Sequence, residues 1–91
     1  MGPERKVEQH LIKRVTAMGG YCIKFIPVVA GMPDRIVFLR GRILLVELKA
    51  KDGRLRPVQR VWHKRLQQVG VPIAVLSSKE QVDSWLSFVF D

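Results

Sequence analysis

The sequence predicts an α/β fold in which a mixed β-sheet is flanked by helices, with the elements in the order α-β-β-β-α-β-α. Three observations support this prediction: helical spacing of apolar residues at the start, two strand-like segments joined by a very short turn, and an apolar run that follows a second helix. At 91 residues the chain has room for one hydrophobic core, so we expect a single domain over residues 1–91.

The first helix is predicted from Glu4 to Met18, because apolar residues there recur at the spacing of one helix face. Gly19-Gly20 should end it, since glycine adopts the left-handed conformation at which many helices stop. Tyr21 to Val29 is rich in β-branched and aromatic residues and therefore predicts the first strand.

The next two strands are predicted at Arg35–Leu39 and Ile43–Lys49. The link between them, Arg40-Gly41-Arg42, is too short for a crossover helix. The two strands should therefore form an antiparallel hairpin.

The second half of the chain predicts a helix, a strand and a last helix. The helix should run from Pro57 to about Val69. Val71–Leu76 is nearly all apolar and predicts a buried strand, parallel to the third because a helix connects them. Ser77-Ser78 should cap a final helix that begins at Lys79. The apolar face of this middle helix is formed by Val58, Val61, Trp62, Leu66 and Val69.

The composition is strongly basic, with 16 Lys and Arg against 8 Asp and Glu, a formal net charge of +8 and a pI near 10.4. Such an excess favours partners rich in phosphate, because each neutralised phosphate releases condensed counterions. The alternative is that the charge serves solubility alone.

Other features bear on the cellular setting. Cys22 is the only cysteine, so no disulfide within the chain is possible, and an intracellular setting is favoured. The sequence shows neither a signal-peptide pattern nor an apolar run near the roughly 20 residues of a membrane span. We therefore expect a cytoplasmic protein with no membrane partner.

The hairpin carries the residues that point to chemistry. Side chains alternate along a strand, so Leu44, Val46 and Leu48 should enter the core while Glu47 and Lys49 point to the other face. Asp34 opens the neighbouring antiparallel strand and can lie close to Glu47 across the pair. Two adjacent carboxylates repel each other, and a cation between them removes that repulsion.

Oxygen ligands of this kind suit Mg²⁺ or Mn²⁺, with the main-chain carbonyl of Leu48 as a third ligand. Lys49 would orient the attacking water or help to deprotonate it, and would offset charge on the phosphate. Such a site predicts metal-assisted hydrolysis of a phosphodiester. A Glu-x-Lys pair alone is usually a solvated surface pair, and Pro-Asp alone commonly opens a turn. Their combination in one hairpin, beside a basic loop, favours the site.

Pro33-Asp34, then Glu47-Leu48-Lys49, then a basic loop and Gln59 early in a helix resemble the virus-type replication-repair nuclease (VRR-NUC) family. That family belongs to the restriction-endonuclease-like PD-(D/E)xK superfamily. The resemblance implies a restriction-endonuclease-like sheet and metal ligation by Asp34, Glu47 and the Leu48 carbonyl, with Lys49 as the catalytic lysine.

The resemblance also implies roles for two further residues. Glu8 matches the first-helix acid, which reaches the metal directly or through water, and Gln59 matches a glutamine that contacts the site or a phosphate. Three alternatives stay open: Glu8 is simply exposed, Glu4 is the acid instead, or Gln59 is an ordinary solvated helix residue. His10 and His63 pair with no nucleophile in the sequence, and we expect both at helix surfaces or helix boundaries.

The expected function is cleavage of DNA by a metal-dependent endonuclease, with no small-molecule cofactor. Stand-alone members of the VRR-NUC family, which this sequence resembles, are phage or bacterial proteins similar to Holliday-junction resolvases. They are often homodimeric. The resemblance thus implies branched DNA, a homodimer, and a bacterial or phage-infected cell. The alternatives are a non-catalytic nucleic-acid-binding module and a nuclease subunit that needs a partner. The residues expected to contact DNA follow the third strand: Lys51, Arg54, Arg56 and Arg60.

Overall fold

The computed structural model describes residues 2–91, and its elements follow the predicted order. Three helices and four strands are present in that range. Their bounds are α1 (Pro3–Ala17), β1 (Tyr21–Lys24), β2 (Arg35–Leu39), β3 (Arg42–Leu48), α2 (Pro57–Gln68), β4 (Ile73–Leu76) and α3 (Lys79–Phe90). Within this part of the chain, no helix is both long enough and apolar enough to cross a membrane.

The four strands form one mixed sheet in the order β1-β2-β3-β4. The first three pair antiparallel, and β4 pairs parallel to β3, which confirms both the hairpin and the crossover. Arg40 and Gly41 join β2 to β3 with positive φ angles of 51° and 77°. A two-residue link with both central residues at positive φ matches the strand twist, and it fixes the hairpin register.

One face of the sheet packs against α1 and α3 and forms the hydrophobic core. Val46 and Leu48 point into it, as predicted from strand alternation, and Leu44 lies at its edge half-buried. Ser78 caps α3 as predicted, because its Oγ accepts the backbone N–H of Gln81 at 3.0 Å. The buried core residues are Val7, Leu11, Val15, Val37, Leu39, Val46, Leu48, Leu76, Val82 and Leu86.

The opposite face is covered in part by α2, and one prediction for it is wrong. β4 is an edge strand rather than a buried one, and Val75 is 42% exposed, because the sheet ends there. The apolar face of α2 is also largely open, with Val58, Val61 and Val69 all exposed. One helix cannot cover a four-stranded sheet, so apolar side chains on this face remain in contact with solvent.

The first strand lies within the predicted segment Tyr21–Val29, and it occupies Tyr21–Lys24. Phe25 still donates its backbone N–H to the carbonyl of Asp34 at 2.7 Å, but regular pairing stops there. Pro27 has no N–H to donate and interrupts the ladder. The chain between β1 and β2 is therefore free to leave the sheet and approach α2.

Candidate active site

Asp34 and Glu47 stand opposite each other at one end of the hairpin. The last regular pair of the two strands joins Arg35 to Val46, and the same register places Asp34 across from Glu47. The Phe25–Asp34 hydrogen bond shows that the sheet continues through Asp34. Directly opposed side chains have Cβ atoms about 4.5–5.5 Å apart. The two carboxylates therefore share one face of the sheet, as the sequence predicted.

The loop before Asp34 is held against α2 by a close backbone approach. Gly31 has a φ of 92°, a conformation that side chains rarely adopt. A Cβ at Gly31 would lie 2.6 Å from the carbonyl oxygen of Val58, so only glycine fits this contact. The buried Pro33 follows and fixes the backbone just before Asp34. This loop therefore fixes the direction from which the chain enters β2 at Asp34.

Glu47 is buried, with only 7% of the residue exposed. Its Oε1 has no hydrogen-bond partner among residues 2–91. Burial raises the pKa of this carboxyl, and the charges of Asp34 and Glu4 raise it further, while Lys49 and Arg56 act in the opposite direction. An ionised Glu47 is thus an under-compensated charge, and a cation beside it would stabilise it.

Lys49 lies one residue past β3, where its backbone N–H donates to the carbonyl of Leu76 at 3.0 Å. The sheet therefore continues to this residue, and strand alternation puts its side chain on the Glu47 face. Its charge lowers the pKa of Glu47, which locates the ammonium group within electrostatic reach of the carboxylates. Leu48, between the two, points into the core.

The oxygen donors of this site fit Mg²⁺ or Mn²⁺ better than a metal that must be coordinated by side chains alone. Within residues 2–91 no group of three or more His, Cys, Asp or Glu side chains is arranged to enclose a metal. Mg²⁺ is commonly bound by one or two carboxylates together with waters and substrate phosphate. Asp34 and Glu47 supply that pair of carboxylates, and the carbonyl of Leu48 is adjacent in the chain.

The two acids of α1 lie in different surroundings. Glu8 accepts a hydrogen bond from Nη2 of Arg35, a buried arginine that points to the α1 face of the sheet. Glu8 is therefore neither simply exposed nor free, and its metal role stays a prediction. Glu4 is the first-helix acid whose charge raises the pKa of Glu47. The sequence missed this difference because the Glu8–Arg35 pair spans 27 residues.

Gln59 is buried, so the alternative of a solvated helix residue is wrong. Its side-chain oxygen accepts the backbone N–H of Arg56 at 2.8 Å, which satisfies one donor at the start of α2. This contact gives Gln59 a structural role in fixing the helix that covers the site. Its contact with substrate stays a prediction.

Both histidines depart from the sequence prediction of surface positions. His63 has a side chain only 13% exposed, and its Nε2 lies 3.6 Å from Oε1 of Glu47. Burial lowers the pKa of His63, and the charge of Lys49 lowers it further. His10 is partly buried and bonds to Asp83 at 2.7 Å. The missed signal for His63 is its spacing of one helical turn from the site residue Gln59.

The residues predicted to bind DNA are all exposed, and all lie after β3: Lys51, Arg54, Arg56 and Arg60. The charge of Arg56 lowers the pKa of Glu47, so this basic segment begins beside the carboxylates. Arg60 donates to the carbonyl of Leu55 at 3.1 Å, which orders part of the segment. Their contact with DNA stays a prediction.

Two acids opposed across a hairpin, with a lysine and a basic loop beside them, are typical of a nuclease with a restriction-endonuclease-like fold. Comparison with known proteins gives the family. The model of the VRR-NUC domain family matches residues 4–80, and the chain belongs to this family. The prediction of a VRR-NUC nuclease is thereby confirmed.

Two relatives show how far the similarity extends. The chain is 39% identical over 79 residues to "Putative nuclease p44" of Acyrthosiphon pisum secondary endosymbiont phage 1, with 85% of each protein covered. A solved structure described as "VRR_NUC domain" superimposes with a TM-score of 0.81 at 29% identity, and the match covers 100% of both chains. The similarity therefore includes the whole fold as well as the motif.

Proposed function

We propose that the protein is a Mg²⁺- or Mn²⁺-dependent endonuclease that hydrolyses phosphodiester bonds in branched DNA such as Holliday junctions. The observation that carries the proposal is the placement of Asp34 opposite Glu47, where burial leaves the Glu47 charge under-compensated. Two adjacent carboxylates repel each other, and a cation bound between them removes that repulsion.

Each residue of the site has a role in this proposal. Asp34, Glu47 and the Leu48 carbonyl would hold the divalent cation, which when bound activates water and neutralises phosphate charge. Lys49 orients the attacking water and offsets the charge that develops on the phosphate. Glu4 and Glu8 remain the two candidates for a water-mediated contact from α1.

The basic segment supports DNA as the substrate. Its side chains are exposed, and the charge of Arg56 acts on Glu47, so a nucleic-acid backbone that follows this segment would reach the site. Contacts of this kind position a duplex without reading its sequence. Binding should therefore weaken steeply with salt, and it should depend on DNA shape more than on base sequence.

An apolar patch supports the homodimer. Tyr21, Phe38 and Ile43 are paired in one row across β1, β2 and β3, on the face that carries the site. Ile43 is 69% exposed and Tyr21 is 68% exposed, and α2 does not reach them. We propose that a second copy of the chain covers this patch, since each copy then buries apolar area that one small domain cannot.

Light scattering tests the dimer through a matched pair of variants. Ile43→Glu places a charge within the patch and should shift the protein to monomer. Val69→Glu makes the same change at a residue that is 75% exposed and lies outside the patch, at the end of α2. It should leave the mass unchanged. A dimer that tolerates Ile43→Glu would contradict this assignment.

The nuclease is tested by incubating the purified protein with a labelled four-way junction, a splayed arm and a linear duplex. Each substrate is tested with Mg²⁺, Mn²⁺ or EDTA. The wild type should cut the junction only with metal, and Asp34→Ala should not cut it. Asp52→Ala removes an exposed acid from the basic segment and should cut normally. Binding without cutting under every metal would contradict the proposal and favour a binding module or a partner-dependent subunit.

A further inference from the structure

Two buried polar atoms beside the proposed metal site face each other without hydrogen-bond partners. They are Oε1 of Glu47 and Nε2 of His63, and within residues 2–91 they are the buried side-chain atoms left unsatisfied. They lie 3.6 Å apart, just beyond hydrogen-bond length. Buried polar groups are nearly always paired, so two adjacent unpaired atoms indicate an interaction that a small adjustment completes.

The fold holds His63 at this position through fixed contacts at the start of α2. Gln59 caps the helix through Arg56, and it shares one helix face with His63 because the two are four residues apart. The contact of Gly31 with Val58 fixes the same turn against the loop that carries Asp34. The imidazole is therefore held by α2, while the carboxylate that it faces belongs to β3.

We propose that His63 is a positioning residue of the nuclease site, which donates Nε2–H to Oε1 of Glu47 and so leaves the other carboxylate oxygen turned toward the divalent cation. The inference rests on the proposed function and adds to it a residue that does not itself hold the metal. A carboxylate that ligates a cation rotates freely unless a second group fixes it, and such supporting hydrogen bonds commonly govern metal affinity.

The direction of the hydrogen bond follows from the chemistry of the two groups. An ionised carboxylate only accepts, so the imidazole must present its N–H and not its lone pair. With Oε1 engaged, the second oxygen of Glu47 is the one left for a cation shared with Asp34. The carboxylate that His63 approaches is that of Glu47, so the loss of His63 should loosen Glu47 first.

The test is the affinity for Mn²⁺, measured without DNA by electron paramagnetic resonance of the free ion. His63→Leu removes the donor and should weaken Mn²⁺ binding about 10- to 100-fold. His63→Gln places an amide N–H near the position of Nε2 and should restore most of the lost affinity. Denaturant unfolding of each variant, without metal, establishes that it is folded.

His10→Leu is the matched control. His10 is also a partly buried histidine bonded to an acid, but its partner Asp83 lies on α3, away from the carboxylate pair. This variant should bind Mn²⁺ like wild type.

A second measurement concerns the Mn²⁺ complex of the wild type. Pulsed electron paramagnetic resonance should show no directly coordinated nitrogen, because His63 acts through Glu47.

Each other result overturns the inference in a recognisable way. If His63→Leu binds Mn²⁺ as tightly as wild type, or if His63→Leu and His63→Gln are equally weak, the donor has no positioning role. A directly coordinated nitrogen would make His63 a ligand instead. If wild type and Asp34→Ala bind Mn²⁺ equally, the metal site itself is absent, and the proposed function falls together with the inference.

Discussion

The two faces of the sheet differ in whether their buried polar groups are paired. On the face covered by α1 and α3, Leu11, Val15 and Val37 are fully buried, and the buried Arg35 is paired with Glu8. On the face beside α2, Oε1 of Glu47 and Nε2 of His63 are buried without hydrogen-bond partners among residues 2–91, while Ile43 remains open to solvent. The first face is packed, and its buried arginine is paired. The second face is partly open to solvent and holds two buried polar atoms without hydrogen-bond partners.

This difference indicates that one face of the sheet supplies stability and the other carries the candidate site. Burial of apolar area on the α1–α3 face supplies the stability of the fold. The α2 face holds an under-compensated carboxylate, which costs stability and which the proposed cation would offset. Substitutions on the two faces should therefore separate stability from activity.

The largest effect is expected for Lys49→Ala. Cleavage should fall about 10²- to 10³-fold, because a positioned cation is lost from a site where charge develops in the transition state. The free energy of unfolding should change by less than about 0.5 kcal/mol, since the half-exposed side chain carries little packing. Single-turnover cleavage and denaturant unfolding check the two halves. Cleavage by Lys49→Ala at the wild-type rate would contradict the assignment of Lys49 to the site.

Leu11→Ala should produce the opposite pattern. Leu11 is fully buried between α1 and the sheet, so the cavity should lower the free energy of unfolding by about 2–5 kcal/mol. The affinity of the folded protein for Mn²⁺ should stay near that of wild type. Urea unfolding and Mn²⁺ titration below the unfolding transition measure both. A large loss of Mn²⁺ affinity would show that the faces are not independent.

The smallest effect concerns Asp83, where His10 and Arg14 meet. The hydrogen bond with His10 lowers the pKa of Asp83 below its ordinary value of 3.8, and both charges act in the same direction. The ionised carboxylate thus contributes stability above pH 3.8, and this contribution disappears as the pH falls through the lowered pKa.

Asp83→Asn should therefore be slightly less stable than wild type near neutral pH and equal to it in strong acid. Urea unfolding at about pH 7 and about pH 2.5 measures the difference. A difference that persists unchanged in acid would assign the effect of the substitution to packing and not to the charge.

Local patterns predicted much of the fold. The apolar spacing of α1, the short turn at Arg40-Gly41, and the serine cap of α3 each depend on residues close in the chain. The placement of Asp34 opposite Glu47 was also predictable, because hairpin register follows from the turn. These features need no knowledge of how distant elements meet.

The features that the sequence missed depend on distant packing. The edge position of β4 depends on how many strands join the sheet, and the Glu8–Arg35 pair depends on the rotation of α1. The burial of His63 depends on where α2 lies over β3. Periodicity within one element gives its apolar face, but not the partner that this face will meet.

We expect the Glu47 charge to cost stability until a divalent cation binds, and Glu47→Gln removes that charge while keeping the size of the side chain. Because the folded pKa is raised above its ordinary value of 4.5, wild type loses stability as the pH rises through it, whereas the amide does not titrate. Near neutral pH without metal, the variant should be about 1–2 kcal/mol more stable. This gain should vanish below pH 4.5.

Mn²⁺ should reverse the order of the two proteins. Urea unfolding with Mn²⁺ at about 100 times its dissociation constant should stabilise wild type by about 2.7 kcal/mol and Glu47→Gln far less. This reversal of the two stabilities is the expected result. A Glu47→Gln protein that is less stable than wild type without metal, or that gains equally from Mn²⁺, would contradict it.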